Sequence, residues 1–437
     1  MRTVLDQIWA IKFCLFLFHA FVYWGTVVLM ELFCPLRDMI FFSQYFVVYF
    51  FLLLGIYAFR GFNSILTRDF HDTVVSVTAG ALFGCLAVIP FLILFYSPRI
   101  TKWQMMLLTA GTILSVSFYR LLVSRFFSRV TPVKTVFIIG SREKWEPVLL
   151  EIKEKLRGRI AVKAFLNPSP EAARGIIPSP PCSVIIGDPE LFREDAVKTW
   201  VKETEAAGCR REYLAQIAED LLHRIPLAAA DAYRNYYQMA FEMVRPEPAQ
   251  RVLDILVAVP GLLLGLLFSL FIVPAILLDS GFPVLFRQRR IGLDGKLFTM
   301  HKFRTMSTRK KKEAAFADED EERITRTGNF LRKFRLDEIP QLWDVLRGVM
   351  SIVGPRPEQP EFVDQFNQEI PFYTYRHKLR PGITGWAQIN FKYTSNTDDT
   401  RQKLEYDLFY IKNRTTLLDL QIILKTAETM LGMRGAK

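Results

Sequence analysis

Two adjacent carboxylates, Asp337 and Glu338, come directly before an apolar helical pattern in the segment RLDEIPQLWDVL (335–346). The apolar residues recur at the i, i+3, i+4 and i+7 spacing of a buried helix face, and Pro340 suits a first helical turn. The pair is therefore predicted to lie at a helix N-terminus. Acidic residues are common there because they cap free N–H groups and complement the helix dipole, so capping is one interpretation of the pair.

Basic residues in glycine- and proline-marked segments near the pair indicate a second interpretation, which is phosphate recognition. A guanidinium is a planar fork that matches phosphate oxygens. Arg356 lies between Pro355 and Pro357, which restrict the backbone on both sides and help to aim its side chain. A solvated basic face that attracts anionic lipids is the alternative. The other residues of this basic set are Lys302, Arg304, Arg332, Arg335, Arg376 and Arg380.

Two carboxylates among arginines, in a chain that also carries membrane segments, indicate phosphoryl chemistry. One carboxylate could attack a phosphorus atom and form an acyl phosphate. The other could hold Mg²⁺, which prefers oxygen ligands and substrate phosphates. The arginines and the helix N-terminus are expected to keep the attacking carboxylate ionised.

The chain that must position these groups divides into apolar and soluble parts. Of its 437 residues, 51% are hydrophobic and 23% are charged, which fits neither a purely soluble nor a purely intramembrane protein. The net charge of +12 fits nucleic acid, anionic lipid or a phosphorylated substrate as partner. No recognised nucleic-acid-binding module accompanies this charge, so no nucleic-acid partner is expected.

Residues 1–130 are predicted to form a four-helix transmembrane region. Each of four uncharged runs approaches the ~20 residues that cross a bilayer as a helix. The distribution of basic residues around the runs favours both ends of the region on the cytoplasmic side. His19 is expected to be a packed polar residue rather than a ligand. The four runs span residues 13–30, 39–59, 73–97 and 103–119.

The polar sequence from 131 to 245 alternates strand-like and helical patterns. This alternation predicts a small, degenerate Rossmann-like α/β domain with a parallel sheet. Its first turn, GSREKW, has only the first glycine of a dinucleotide-binding turn, so a structural or regulatory module is favoured over a cofactor site. Strands are predicted at 133–141, 160–165 and 183–187, and helices at 146–156 and 191–207.

Residues 246–281 are predicted to form a linker and a re-entrant membrane helix. The apolar run 255–278 contains Pro260 and Pro274, and backbone breaks in lipid need local compensation. A simple crossing would place the very basic sequence that follows outside the cell, against the positive-inside rule. Residues 282–437 are therefore expected to form a cytoplasmic catalytic domain.

The five cysteines form no C-x-x-C pair and have no histidine cluster near them. This spacing indicates neither a zinc site nor a disulfide framework. It is typical of a reducing, cytoplasmic setting for the soluble parts.

Four blocks in the last third of the chain resemble the signature blocks of a known family. Their order and spacing are similar to those of the bacterial sugar transferases, the polyprenyl-phosphate hexose-1-phosphate transferases, and the resemblance runs from residue 251 onwards. The preceding membrane helices and degenerate nucleotide-binding-like domain resemble the large members. LEYDLFYIKN (404–413) and the final MRGAK resemble members that prime exopolysaccharide synthesis, often with glucose-1-phosphate. The four blocks are KFRTM (302–306), LDEIPQLWDVLRG (336–348), VGPRPE (353–358) and RPGITGWAQIN (380–390).

The resemblance implies a two-step reaction at the cytoplasmic face of the bacterial inner membrane. Asp337 would attack the β-phosphate of a UDP-sugar and release UMP, and undecaprenyl phosphate would then take the phosphosugar. Glu338 would bind Mg²⁺. A homodimer among membrane lipids is expected, and the sequence does not identify the sugar. The substrate phosphates would be bound by Arg332, Arg356, Lys302, Arg304 and Arg380.

The expected fold class is a membrane α-helical bundle, a cytoplasmic α/β domain, and a mainly α-helical catalytic domain with a re-entrant membrane helix. The family commonly breaks this helix at a Ser-Pro pair, whereas here Ser269 is followed by Leu270 and the proline comes at Pro274. The break is expected at Ser269 and Pro274. The alternative function is a non-catalytic membrane scaffold that senses a nucleotide through the middle domain. It leaves the carboxylate and arginine set without a purpose.

The positive-inside argument predicts which residues face the cytoplasm. Because the sequence after residue 278 is strongly basic, cysteines introduced near Lys144 and near Lys311 should both be shielded from an impermeant thiol reagent in intact cells. Permeabilised cells, in which both positions should react, provide the control. Labelling of the position near Lys311 alone from outside would mean that residues 255–278 cross the membrane.

Overall fold

A computed structural model of the chain divides into two compact units. The first contains Met1–Ile186 and Glu190–Tyr213, and the second contains Gly187–Pro189 and Leu214–Lys437. Lys311 and the final MRGAK lie outside the residues that the structure describes. The described residues are 2–33, 39–58, 70–95, 100–130, 133–156, 160–166, 182–307, 324–391 and 397–430.

The first unit begins with four helices rich in apolar residues. They are α1 (Arg2–Phe33), α2 (Met39–Ala58), α3 (Phe70–Phe95) and α4 (Lys102–Val130). Three of these, α1, α3 and α4, carry apolar stretches long enough to span a bilayer, and the apolar stretch described in α2 is shorter. A helix suits lipid because it satisfies every interior backbone group within the segment.

The bundle packs by close backbone approach and by a few buried polar contacts. A Cβ on Gly80 of α3 would overlap the backbone of α2 at Gly55, so only glycine permits this approach. His19 of α1 is fully buried, and its Nδ1 lies 3.0 Å from Ser115 Oγ of α4. The prediction that His19 is a packed polar residue is confirmed.

A four-stranded parallel sheet follows, in the order β2-β1-β3-β4. The inner strands β1 and β3 are runs of Val, Ile and Phe that are buried on both faces, as parallel sheets require. The predicted strand and helix alternation is confirmed. The short, charged β4 was not predicted because it lies at the sheet edge and carries no apolar run. The elements are β1 (Lys134–Ile139), α5 (Arg142–Lys155), β2 (Ile160–Leu166), β3 (Cys182–Ile186), α6 (Asp195–Ala206) and β4 (Arg210–Tyr213).

A disulfide joins Cys182 at the start of β3 to Cys209, directly before β4. Both residues are buried. The expectation that the cysteine spacing argues against disulfides is wrong for this pair, because the two residues are 27 positions apart and only strand pairing makes them neighbours.

The second unit begins with three short helices and one long helix. The short helices α7 (Leu214–Leu222), α8 (Leu227–Ala232) and α9 (Arg234–Glu242) lie within residues 131–245, for which the sequence predicts the middle domain. In the structure they group with the C-terminal residues instead. The long helix α10 (Pro248–Ser280) is apolar enough to enter a membrane and is helical through Pro260 and Pro274.

The rest of the second unit is mainly helical, with two small sheets. The antiparallel pair β5 and β6 forms a hairpin, and β7 and β8 pair in parallel. The strands are β5 (Leu285–Ile291), β6 (Leu297–Phe303), β7 (Ser351–Val353) and β8 (Gly382–Thr384). The helices are α11 (Arg326–Lys333), α12 (Gln341–Leu346), α13 (Pro360–Glu369), α14 (Trp386–Asn390), α15 (Thr397–Asn413) and α16 (Thr416–Met430).

Buried ion pairs join α7–α9 to α15. Lys412 Nζ donates to both carboxylate oxygens of Glu219 at 2.7 Å, and the Tyr237 hydroxyl donates to the same carboxylate at 2.6 Å. Arg224 Nη1 donates to Glu405 Oε2 at 2.7 Å. Residues 214–245 are therefore part of the folded C-terminal unit.

The Glu219–Lys412 pair leads to a stability prediction. Lys412→Met should lower the free energy of unfolding by about 3 kcal/mol, because it leaves a buried carboxylate without its cation. The double variant Glu219→Gln/Lys412→Met should lose less, since it removes the charge as well. Thermal unfolding of the purified chain measures both. Equal losses in the single and double variants would contradict the ion-pair argument.

Candidate active site

The two carboxylates lie in one turn of 3-10 helix, Leu336–Glu338, between α11 and α12. Asp337 is 8% exposed and Glu338 is 7% exposed. The helix α12 begins at Gln341 after Pro340, so the pair lies in the turn before this helix and does not cap its N-terminus, where the sequence predicted it. Arg335 enters the turn with a left-handed backbone (φ 53°), which reverses the chain after α11.

Three cations from different elements surround Glu338. Arg335 donates to Oε2 from Nη2 at 2.7 Å and from Nε at 3.0 Å. Lys302 Nζ of β6 donates to Oε1 at 3.2 Å, and Arg356 Nη1 lies 3.5 Å from the same oxygen. A buried carboxylate is tolerated only when such partners compensate for lost hydration, so Glu338 brings these three side chains together.

Arg356 is placed by the pairing of β7 and β8. Gly354 follows β7, and its backbone N–H donates to Thr384 O at 2.9 Å. A Cβ on Gly354 would overlap the backbone oxygen of Arg380, so this position requires glycine. The prolines on either side of Arg356 then restrict the loop that carries it.

The environments of the two carboxylates separate their pKa values. Burial alone would raise the pKa of Glu338, but Lys302, Arg335 and Arg356 outweigh it and lower the pKa to about 2. The pKa of Asp337 is raised, first by burial and also by the Glu338 charge, against the attraction of Lys302. The cations therefore lower the pKa of Glu338, whereas at Asp337 the effect of burial outweighs them.

Asp337 keeps its carboxylate available. Within the described ranges, its side chain forms no hydrogen bond or ion pair, in contrast to Glu338. Arg332 on α11 lies close enough to lower the pKa of Asp337, and its Nε donates to Thr305 Oγ1 at 3.0 Å. A carboxylate that is buried, close to cations and unengaged is suited to act as a nucleophile.

Two arginines of the predicted phosphate set bond to backbone carbonyls. Arg304 is 5% exposed and donates from Nη2 to the backbone oxygens of Ser280 and Gly281 at the end of α10. Arg380 Nε donates to Gly348 O at 2.9 Å. The site around Glu338 thus brings Lys302 and Arg356 together with Arg335, while Arg304 and Arg380 bond elsewhere.

Two supporting clusters were not predicted from the sequence. Asp344 of α12 is fully buried and accepts from the His301 backbone N–H at 2.9 Å, and its other oxygen lies 2.7 Å from His301 Nδ1. This contact ties α12 to β6, next to Lys302. Glu358 accepts from Lys403 Nζ at 2.5 Å and lies 3.9 Å from Arg376, which bonds Arg356 O at 3.0 Å. Only the position of Glu358 inside VGPRPE could have indicated a role.

A cleft opens beside Arg356. It is small, and it is lined by prolines and by the charged cluster behind the Arg356 loop. Its lining includes Ile291, Gly292, Pro355, Arg356, Glu358 and Arg376.

Comparison with known proteins identifies the family of this chain. A family model described as bacterial sugar transferase matches residues 246–433. A relative from Bacillus subtilis (strain 168), an uncharacterized sugar transferase EpsL, is 39% identical over 190 residues, which are 43% of this chain and 89% of the relative. This chain belongs to the bacterial sugar transferase family.

Two further relatives carry an activity in their names. A UDP-N-acetylgalactosamine-undecaprenyl-phosphate N-acetylgalactosaminephosphotransferase of Aeromonas hydrophila is 39% identical over 275 residues, 58% of this chain and 63% of that protein. A UDP-glucose:undecaprenyl-phosphate glucose-1-phosphate transferase of Escherichia coli (strain K12) is 42% identical over 180 residues, 40% of this chain and 39% of that protein. The chain thus spans less than two thirds of either relative, and the resemblance to the family is confirmed.

Among the residues that the structure describes, no three His, Cys, Asp or Glu side chains lie together as a metal site. Asp337 and Glu338 are two carboxylates close to Lys302 and Arg335. The Ser269 hydroxyl of α10 donates to Gly265 O at 2.7 Å, a bond that often bends helices.

Arg335 forms the shortest contact with Glu338. This ion pair leads to a prediction about how stability depends on pH. Arg335→Met should lower the free energy of unfolding at pH 7 by about 2–3 kcal/mol. The folded pKa of Glu338 is lowered, so its stabilisation is full above the ordinary carboxyl pKa and is lost as the pH falls towards 2. The difference between wild type and variant should therefore shrink as the pH falls from 7 to 3.

Denaturant unfolding at the two pH values measures this difference. Arg347→Met, which changes an exposed arginine just after α12, should have little effect at either pH. A difference for Arg335→Met that does not change with pH would mean that Arg335 acts through packing rather than charge.

Proposed function

We propose that this sugar transferase moves a hexose-1-phosphate from a UDP-sugar to undecaprenyl phosphate and so primes polysaccharide synthesis. The observation that carries the proposal is the buried Asp337–Glu338 pair, in which one carboxylate is unengaged and the other gathers three cations. The names of the relatives from Aeromonas hydrophila and Escherichia coli support this reaction class.

In the first step, a carboxylate oxygen of Asp337 attacks the β-phosphorus of the UDP-sugar. The new O–P bond forms as the bond from that phosphorus to the oxygen bridging the α-phosphate breaks, and UMP leaves with the bonding electrons. The pKa of Asp337 is raised by burial, and a more basic carboxylate is a stronger nucleophile when ionised. The product is a phosphosugar bound covalently to Asp337.

In the second step, a phosphate oxygen of undecaprenyl phosphate attacks the same phosphorus. The bond between Asp337 and phosphorus breaks, which restores the carboxylate and releases the lipid-linked diphosphosugar. Splitting the transfer into two displacements lets one site serve a soluble donor and a lipid acceptor in turn.

Basic side chains near the pair would hold the phosphate charge. Arg356 is 40% exposed, whereas Glu338 is nearly buried, so this guanidinium can reach a ligand while it contacts Glu338. Lys302 and Arg332 are close enough to act on the pKa of Asp337, and therefore on a phosphate that reacts there. Arg304 and Arg380 remain proposed phosphate ligands that would have to leave their present carbonyl partners.

The carboxylate pair fits Mg²⁺ in the mode that this ion prefers. Mg²⁺ usually takes one or two protein carboxylates and completes its coordination with water and substrate phosphates. Oε1 of Glu338 has the longer contacts, 3.2 Å to Lys302 and 3.5 Å to Arg356, and is the oxygen better able to accept the ion. The ion would neutralise charge on the donor diphosphate.

The long helix α10 is proposed to be re-entrant, with the catalytic region at the cytoplasmic face of the bacterial inner membrane. Both of its ends are bonded to the same folded unit. Near its start Gln250 Nε2 donates to Val353 O at 2.9 Å, and near its end Asp279 Oδ2 accepts from the Thr327 backbone N–H at 2.8 Å. The sheet β1–β4 is proposed to be a degenerate Rossmann-like module, and the bundle α1–α4 to support a homodimer.

The central test is UMP release from UDP-glucose, UDP-galactose and their N-acetyl relatives by the purified chain with undecaprenyl phosphate. Asp337→Asn should abolish turnover and the covalent phosphosugar adduct while the protein stays folded. Glu338→Gln should lose most of its activity, and the activity that remains should depend more weakly on Mg²⁺ concentration.

The matched control is Asp364→Asn, which neutralises an exposed aspartate on α13 and should retain activity. Mass spectrometry of the chain after brief exposure to donor detects the adduct. Substantial turnover by the Asp337→Asn variant would sink the assignment of the nucleophile.

A further inference from the structure

Side chains in the first turns of α10 form hydrogen bonds with the free edge of strand β7. Asp254 Oδ1 accepts from the Ser351 hydroxyl and from the Ile352 backbone N–H, both at 2.8 Å. One helical turn earlier, Gln250 Nε2 donates to Ser351 Oγ at 3.0 Å and to Val353 O at 2.9 Å. Two side chains of the apolar helix therefore bond to all three residues of β7.

These contacts are among the most enclosed polar contacts of the second unit. Asp254 is 1% exposed, and Gln250 and Ser351 are also buried. The opposite edge of β7 pairs with β8, so the Ile352 N–H depends on Asp254 for its partner. Further along α10, Ile272 and Ile276 pack against Phe303 by apolar contact, which does not fix position along a strand.

Hydrogen bonds to a strand fix its register, and here the register matters three residues further on. The chain passes from Val353 through Gly354 and Pro355 to Arg356, whose guanidinium lies 3.5 Å from Glu338. A slip of one residue would move the strand by about 3.3 Å, which is as large as that contact distance. The position of Arg356 at the site is therefore sensitive to the bonds that hold β7.

We propose that Asp254 is a positioning residue, which sets the register of β7 on the apolar helix and thereby holds Arg356 at the carboxylate pair. The same helix also bonds to the other side of the site. Arg251 donates to the backbone oxygens of Val345 and Leu346 at 2.5 and 2.6 Å, in the last turn of α12. The start of α10 thus binds both α12 and β7. Asp254 sets the register of β7, the strand that leads to Arg356.

This inference rests on the proposed function, because it is measured through UMP release. The test is a double-mutant cycle on the full chain in lipid nanodiscs, with Asp254→Leu, Arg356→Ala and the double variant. Asp254→Leu should lower kcat/KM about tenfold or more in the wild-type background and less than about twofold in the Arg356→Ala background, because the two changes affect one function. Asp254→Asn, which keeps an acceptor oxygen for Ile352, should stay within about threefold of wild type.

Glu219→Gln is the control for a general loss of stability. It alters a buried carboxylate on α7 and should lower the unfolding temperature while kcat/KM changes little. If Asp254→Leu does not fold, Ser351→Ala enters the same cycle, since it removes one of the two bonds to Asp254. It should then lower kcat/KM in the wild-type background only.

The outcomes separate the two ideas. If the wild-type chain is active and the losses in kcat/KM of the two single variants multiply in the double variant, the positioning role is wrong and the proposed function still stands. Full activity of Asp254→Leu would do the same. Absence of UMP release from the wild-type chain with every UDP-sugar would instead overturn the proposed function.

Discussion

A single buried carboxylate, Glu338, is the constraint on which the site depends. An ionised group with so little exposure requires cations nearby, and it has three. Each comes from a different part of the chain: Lys302 from β6, Arg335 from the turn itself and Arg356 from the loop after β7. Because these groups must converge on two oxygen atoms, the hairpin, the turn and the β7–β8 pair must each be fixed in space.

The elements are fixed by further carboxylates, buried or half-buried, rather than by apolar packing alone. Asp344 ties α12 to β6, Glu358 ties the Arg356 loop to α15 through Lys403, and Asp254 ties α10 to β7. Each of these groups accepts directional bonds, so it specifies one arrangement where apolar contact would permit several. The hydrogen bonds and ion pairs of these three carboxylates thus hold the elements that surround Glu338.

Local patterns in the sequence predicted the elements, and distant contacts decided the rest. Three local features predict their elements. These are the helical spacing after Asp337, the apolar runs of β1 and β3, and the apolar length of α10. The grouping of residues 214–245 with the C-terminal region was not predicted, because Glu219 and Lys412 are 193 positions apart. The carbonyl partners of Arg304 and the left-handed backbone of Arg335 were equally invisible, since neither leaves a periodic pattern.

The attachment of α10 to β7 also has a consequence for the order in which the chain is made. Asp254 leaves the ribosome 97 residues before Ser351, its hydrogen-bond partner. At about 5–20 residues per second, this carboxylate waits roughly 5–20 s for its partner during synthesis. A buried carboxylate without a hydrogen-bond partner is unfavourable, so Asp254 is expected to stay in contact with water until β7 has been made. The start of α10 can therefore reach its final contacts only after most of the chain has been made.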